Sequence, residues 1–171
     1  TWTERRAPRQ QEALIGVMFI LAACASILML AGNPHGGEHL KDLLVGQILW
    51  VSIGQLIPVA VLSALLLTAM WFWRGRLSGL LFYGLFALAI TASVQLVGVY
   101  LVFASLIVPA LATYRISHRR THYAFAIGIS GYAVGLLLSA WFDLPSGATV
   151  VWAMAATGVL AAWLLNPRKV G

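Results

Sequence analysis

Acidic side chains are scarce in this chain, with five Asp and Glu among 171 residues. Asp, Glu, Lys and Arg are all missing from the middles of its apolar runs. That absence argues against the intramembrane proton relays and ion-coupling carboxylates of many secondary transporters. Cysteine is rarer still. The single Cys24 rules out a disulfide framework, and its apolar surroundings make it a small packing residue. Charged residues of both signs reach only 9%, against about 25% in soluble domains. With 61% hydrophobic residues, a chain of this size cannot hide its apolar surface in a water-soluble globule. The net charge of +6 does not point to nucleic acid, because the basic residues form short clusters between apolar runs, as membrane orientation signals do.

What the sequence has is length of apolar run. Leu77 to Thr113 carries no charged side chain over 37 residues. About 20 helical residues cross a hydrocarbon core of roughly 30 Å, so this run is too long for one crossing and a reversal is expected near Gln95–Gly98. The chain reads as an all-α polytopic transmembrane bundle of about six segments: Ala13–Ala31, Ile48–Trp73, Leu77–Leu96, Val97–Thr113, Tyr123–Phe142 and Ala148–Leu165. Each is expected to be helical, because bare backbone polar groups are not tolerated in lipid. Pro58 predicts tilt or a kink in the second segment. Pro109 predicts a break in the short fourth. The chain reads as a single transmembrane domain over residues 1–171. Its start at Thr1, without an initiator Met, is read as an internal position with more chain upstream.

The eleven Lys and Arg residues alternate along this pattern. Ten fall before the first segment, after the second, after the fourth and after the sixth, and Lys41 alone falls between the first and second. The positive-inside rule then predicts that both ends of this chain are cytoplasmic. Trp50, Trp71, Trp73, Trp141 and Trp163 lie near segment ends, where amphipathic rings suit the interface. Gly131 and Gly135 in GYAVG, and Ala153, Thr157 and Ala161, repeat at helical spacing and predict close helix contacts.

Three polar stretches carry candidate chemistry. The loop Ala31–Leu44 holds His35, Glu38, His39 and Asp42, imidazole and carboxylate groups that suit zinc and, less well, manganese. A solvated loop is the alternative reading. The H-x-x-E-H pattern of His35–His39 matches inverted zinc proteases formally, but Pro34 and two glycines oppose the rigid helix that such chemistry needs. Gln55, Thr91, Ser93, Gln95, Ser105 and Thr113 are polar groups in or near the spans and are expected to face the bundle interior. Gln95 and Ser105 are the candidates for lining a translocation path. Arg115, His118, Arg119, Arg120 and His122 cluster after the fourth segment, as a candidate cytoplasmic docking surface or a contact with anionic membrane lipid. Asp143, in WFDLPSG, is expected to bond its local backbone in a turn.

His39–Ser52 (HLKDLLVGQILWVS), Val94–Thr113 (VQLVGVYLVFASLIVPALAT) and Phe142–Val151 (FDLPSGATVV) resemble, in order and rough spacing, three stretches of the zinc, manganese and iron(II) ABC transporter permeases. The resemblance implies a homodimeric permease of a bacterial inner membrane. It implies a cytoplasmic ATPase and an extracytoplasmic metal-binding protein as partners, alternating access, no catalysis and no permanent cofactor, with a divalent metal ion as cargo. The family's cytoplasmic coupling segment is reduced here to Arg74-Gly75-Arg76, too short for a helical turn of 3.6 residues. An ATP-independent channel or a non-transporting partner subunit is the alternative that this short link raises.

Overall fold

The computed structural model describes residues 11–31, 53–72, 79–116 and 118–165. Six helices account for nearly all of them: α1 (Gln11–Leu30), α2 (Ile53–Phe72), α3 (Gly79–Val97), α4 (Val99–Ala112), α5 (Arg120–Phe142) and α6 (Ser146–Leu165). No strand occurs among the described residues, so the chain is a helical bundle, as its composition predicts. Among the described residues α1, α5 and α6 are long and apolar enough to cross a bilayer, with mean hydropathies of 2.7, 1.7 and 1.8, and shorter apolar helical stretches lie in α2, α3 and α4. The expected metal-contact loop with His35, Glu38, His39 and Asp42, the Arg74–Arg76 link and the side chain of Gln55 lie outside the described residues.

α6 is the central helix. It packs most extensively on α5, then on α4 and α1. Its inward face, Ala148, Val150, Val151, Ala153 and Met154, is buried together with Leu101, Ala104 and Val108 of α4 and Ile20 and Cys24 of α1. Large apolar residues point outward instead: Phe72 is 87% exposed and Trp141 84%. This is the arrangement lipid selects. Lipid tails solvate a large apolar side chain as well as a protein core does, so helices associate through the small residues that let them approach.

The interruption of the long uncharged run falls at one residue, Gly98, between α3 and α4. Its backbone adopts φ 82° and ψ 159°, a region that is essentially glycine-only. Pro109, the expected break, lies buried inside a continuous α4, and α2 likewise runs unbroken through Pro58. A proline removes one N–H from a helix, which need not end it. At Gly98 the φ and ψ angles leave the helical region, while its N–H still donates to the Val94 carbonyl at 2.9 Å and its carbonyl accepts from the Val102 N–H at 3.3 Å.

The turn between α5 and α6 is held differently from the sequence expectation. Asp143 contributes a left-handed backbone (φ 52°) that closes α5, its N–H donating to the Ser139 carbonyl. Asp tolerates this conformation better than most residues. The side-chain bond comes from Ser139, whose buried hydroxyl donates to the Leu144 carbonyl at 2.7 Å, while the Leu144 N–H returns to the Ser139 carbonyl at 3.1 Å. Thr149 donates its N–H and its hydroxyl to the Pro145 carbonyl at 3.1 and 2.9 Å. Ser139→Ala therefore leaves the partly buried Leu144 carbonyl with one partner fewer and is expected to cost about 1 kcal/mol, read as a lower unfolding midpoint in detergent. An unchanged midpoint would show that the turn does not depend on this hydroxyl.

Candidate functional site

Among the described residues the contact of α4, α5 and α6 is well buried, and glycine sets its dimensions. Gly131 and Gly135 lie four residues apart on the buried face of α5. A Cβ at Gly131 would stand 2.8 Å from Met154 Cα, and one at Gly135 would stand 2.4 Å from Val150 Cα. The two backbones thus touch along the GYAVG segment, as the small-residue spacing predicts. On the next face of α6, a Cβ at Gly158 would lie 2.8 Å from Val108 Cγ1 of α4.

Ser105 sits half-buried on α4 and donates to the Val102 carbonyl at 2.8 Å. The hydroxyl of Tyr132 on α5 approaches it across the helix contact. Tyr132 lies inside the GYAVG motif between the two glycines, and its polar end was not singled out by sequence. The only sequence signal was a hydroxyl-bearing ring in an otherwise small-residue segment. Together Ser105 and Tyr132 form a half-buried polar contact between α4 and α5.

Gln95 is exposed on α3, near the Gly98 break. Thr91 and Ser93 on the same helix are also exposed rather than interior. The reason is local: their hydroxyls donate to Ala87 and Ala89 carbonyls at 2.9 and 2.8 Å, so neither needs a partner from another helix. A carboxamide on α3 has more polar atoms than such a bond can satisfy, and Gln95 presents them on the outer face. Thr113 is fully buried at the end of α4, with its hydroxyl on the Pro109 carbonyl at 2.8 Å.

The basic cluster is exposed where α4 ends and α5 begins. Arg119 occupies the position before α5 with a left-handed backbone (φ 58°) and makes no capping bond through its side chain. The Arg120 guanidinium reaches back to the Ala110 carbonyl at 3.3 Å and ties the start of α5 to the last turn of α4. His118 and Arg119 share the wall of a cavity of about 400 Å³ with Ile116, Tyr123 and Leu165. Arg115 is exposed and does not line it. Among the described residues no group of three His, Cys, Asp or Glu is placed to hold a metal ion.

A family model described as the ABC 3 transport family matches residues 1–81 and 75–165. The chain is 34% identical to a probable iron transport system membrane protein of Haemophilus influenzae, over 89% of this chain and 64% of that protein. It is 26% identical to a manganese transport system membrane protein of Halalkalibacterium halodurans, over 94% of this chain and 62% of the relative. A probable metal transport system membrane protein of Chlamydia trachomatis is 22% identical over 82% of this chain and 56% of its own length. The chain thus spans less than two thirds of the length of these relatives. No solved structure matches it. A helical bundle with an uncharged 37-residue run, matched along nearly its whole length by one family model, belongs to the ABC 3 transport family.

Proposed function

We propose that this chain forms the membrane-spanning permease of an importer for a divalent metal ion, giving the ion alternating access to the two sides of the membrane. The observation that carries the reading is the family match, which takes in both halves of the chain. The relatives are named for iron and manganese transport, and the resemblance of the sequence adds zinc. The cargo is accordingly a divalent transition metal. In this reading two copies of the chain enclose the path, in a bacterial inner membrane. His35, Glu38, His39 and Asp42 receive the ion at the outer mouth, and Gln95 and the Ser105–Tyr132 contact border the route. None of these groups holds a metal permanently. An extracytoplasmic metal-binding protein supplies the ion, and a cytoplasmic ATPase supplies the energy.

The basic alternation places Arg115, His118, Arg119 and Arg120 on the cytoplasmic side. Because Arg74-Gly75-Arg76 cannot form a helical turn, this cluster is the candidate surface for the ATPase. Deleting the gene in its host under metal limitation is expected to lower manganese, iron or zinc accumulation several-fold, with recovery when the chain is restored. Unchanged accumulation of all three metals would overturn the reading.

One observation favours a second reading. The family match is divided into two pieces that meet at residues 75–81, where the short link lies. A chain that has lost its coupling segment would work without ATP, as a channel or a non-transporting partner. Purification of the intact protein distinguishes the two: an ATPase subunit that co-elutes stably supports the importer, and transport of metal into vesicles without ATP supports the channel.

A further inference from the structure

The cavity of about 400 Å³ at the α4–α5 junction joins two residues of the basic cluster, His118 and Arg119, to an apolar wall. Its wall combines the Arg119 guanidinium and His118 imidazole with the Tyr123 ring and the aliphatic side chains of Ile116 and Leu165. It lies where three apolar helices stop or start: just beyond the end of α4, in the first turn of α5 and at the last residue of α6. Trp163, 74% exposed, stands just inside that end of α6, where an aromatic ring marks the membrane–water boundary. The cavity is therefore an interfacial one, with both basic and apolar groups in its wall.

The charge around it is unbalanced. Arg115, His118, Arg119, Arg120 and His122 are all exposed within eight residues, and none is paired with a carboxylate among the described residues. The sequence has no acidic residue between Asp42 and Asp143. Arg120 is committed to the Ala110 carbonyl, whereas Arg119 projects from the start of α5, the positive end of the helix dipole. Cations concentrated at that end repel the dipole and one another, and an anion in the cavity would offset both.

We propose that this cavity binds the phosphate headgroup of an anionic phospholipid. The phosphate accepts from Arg119 and His118, the glycerol region lies by Tyr123, and the acyl roots rest on Ile116 and Leu165. The feature that selects a lipid over a free anion is the apolar half of the wall, which a free phosphate leaves empty. His118 and Arg119 also belong to the proposed ATPase surface, but lipid binding is read on this chain without ATPase or metal, so its failure and the failure of the transport reading are distinguishable.

The test uses the full chain reconstituted in phosphatidylcholine vesicles containing a minor fraction of spin-labelled phosphatidylglycerol, reading the motionally restricted fraction of the label. Arg119→Asn removes the charge while keeping a residue that tolerates the left-handed backbone, so folding is preserved. It is expected to lower the preference for phosphatidylglycerol over phosphatidylcholine about tenfold, the scale of one hydrogen bond between charged groups. Arg115→Gln makes the same charge change outside the cavity and is expected to alter the preference less than twofold. Tyr123→Phe, which keeps the ring, serves as a second cavity variant with an intermediate loss. Equal losses from Arg119→Asn and Arg115→Gln would show diffuse surface attraction and overturn the proposal. Displacement of the labelled lipid by inorganic phosphate at millimolar concentration would overturn it as well, by assigning the cavity to a free anion.

Discussion

Replacing Gly135 with leucine is expected to separate α5 from α6 and to be among the most damaging single changes in the chain. The Cβ alone would meet Val150 Cα at 2.4 Å, well inside any tolerated contact. Backbone cannot rotate aside as a side chain can, so the helices must move apart. Overpacking a buried site typically costs about 1–3 kcal/mol, occasionally more, and this contact lies at the upper end because the obstruction is main chain. The loss extends to the Ser105–Tyr132 contact, since Tyr132 is carried on the same helix between the two close-approach glycines. Thermal unfolding in detergent should show a midpoint several degrees lower, and membrane expression should fall. Gly128→Leu supplies the comparison. It lies on the same helix, and nothing stands within 4 Å of its built Cβ. That variant should match or exceed the parent, because leucine has the better helix propensity by roughly 1 kcal/mol. Equal midpoints for the two variants would refute the close-contact account of the α5–α6 seam.

Gly98→Val should have an effect of similar size for a different reason. At φ 82° and ψ 159° a β-branched residue is excluded by its own Cβ, and residues held in such regions cost about 1–3 kcal/mol. The chain has one easy escape, a return of residue 98 to helical angles. α3 and α4 would then fuse into one helix of about 34 residues, roughly 50 Å long at 1.5 Å per residue, against a hydrocarbon thickness of about 30 Å. The rest of the chain could not keep its packing on such a rod, because Leu101, Val102, Ala104 and Val108 of α4 are built into the contact with α6 and α1. The measurement is labelling of a cysteine introduced at Tyr114, which is exposed just beyond α4, by a membrane-impermeant reagent in intact and in opened cells. The native Cys24 is fully buried and gives little background. A changed labelling pattern in Gly98→Val, relative to the parent, is the expected result, since this backbone region is open essentially to glycine alone. An unchanged pattern in Gly98→Val would show that the break does not depend on glycine.

Much of this architecture is legible in the amino-acid order. Leu77–Thr113 has no charge to stop a helix and too many residues for one crossing, so a reversal is expected near Gln95–Gly98, and the structure interrupts the helix there, at Gly98. Gly131 and Gly135 announce a close approach because glycine four residues apart on an apolar helix has little other use. The family resemblance rests on residues spread from His39 to Val151, which the family match covers. Other features were hidden because they depend on partners remote in sequence. Nothing in the order of residues says that Tyr132 faces Ser105, since the meeting depends on the rotation of α5 against α4. Ser139 locks the turn that Asp143 was expected to hold, because a hydroxyl one turn back reaches the Leu144 carbonyl while Asp143 is occupied in bending the backbone. Thr91 and Ser93 face outward, contrary to the rule that polar groups point inward, because bonds to their own helix leave them nothing to seek.

The sequence alone determined that the chain lives in lipid, that it is helical, and roughly where its helices lie. Those properties follow from local quantities, namely hydropathy, helix length against bilayer thickness, and the requirement that each backbone N–H and C=O be satisfied within its own segment. Tertiary structure alone decided that α6 is central, that α4 runs unbroken through Pro109, and that His118, Arg119 and Tyr123 share one cavity. In lipid all apolar faces are nearly equivalent in solvation, so which face meets which is settled by the fit of small residues against backbone. That fit is a property of two helices together, and no single stretch of sequence contains it.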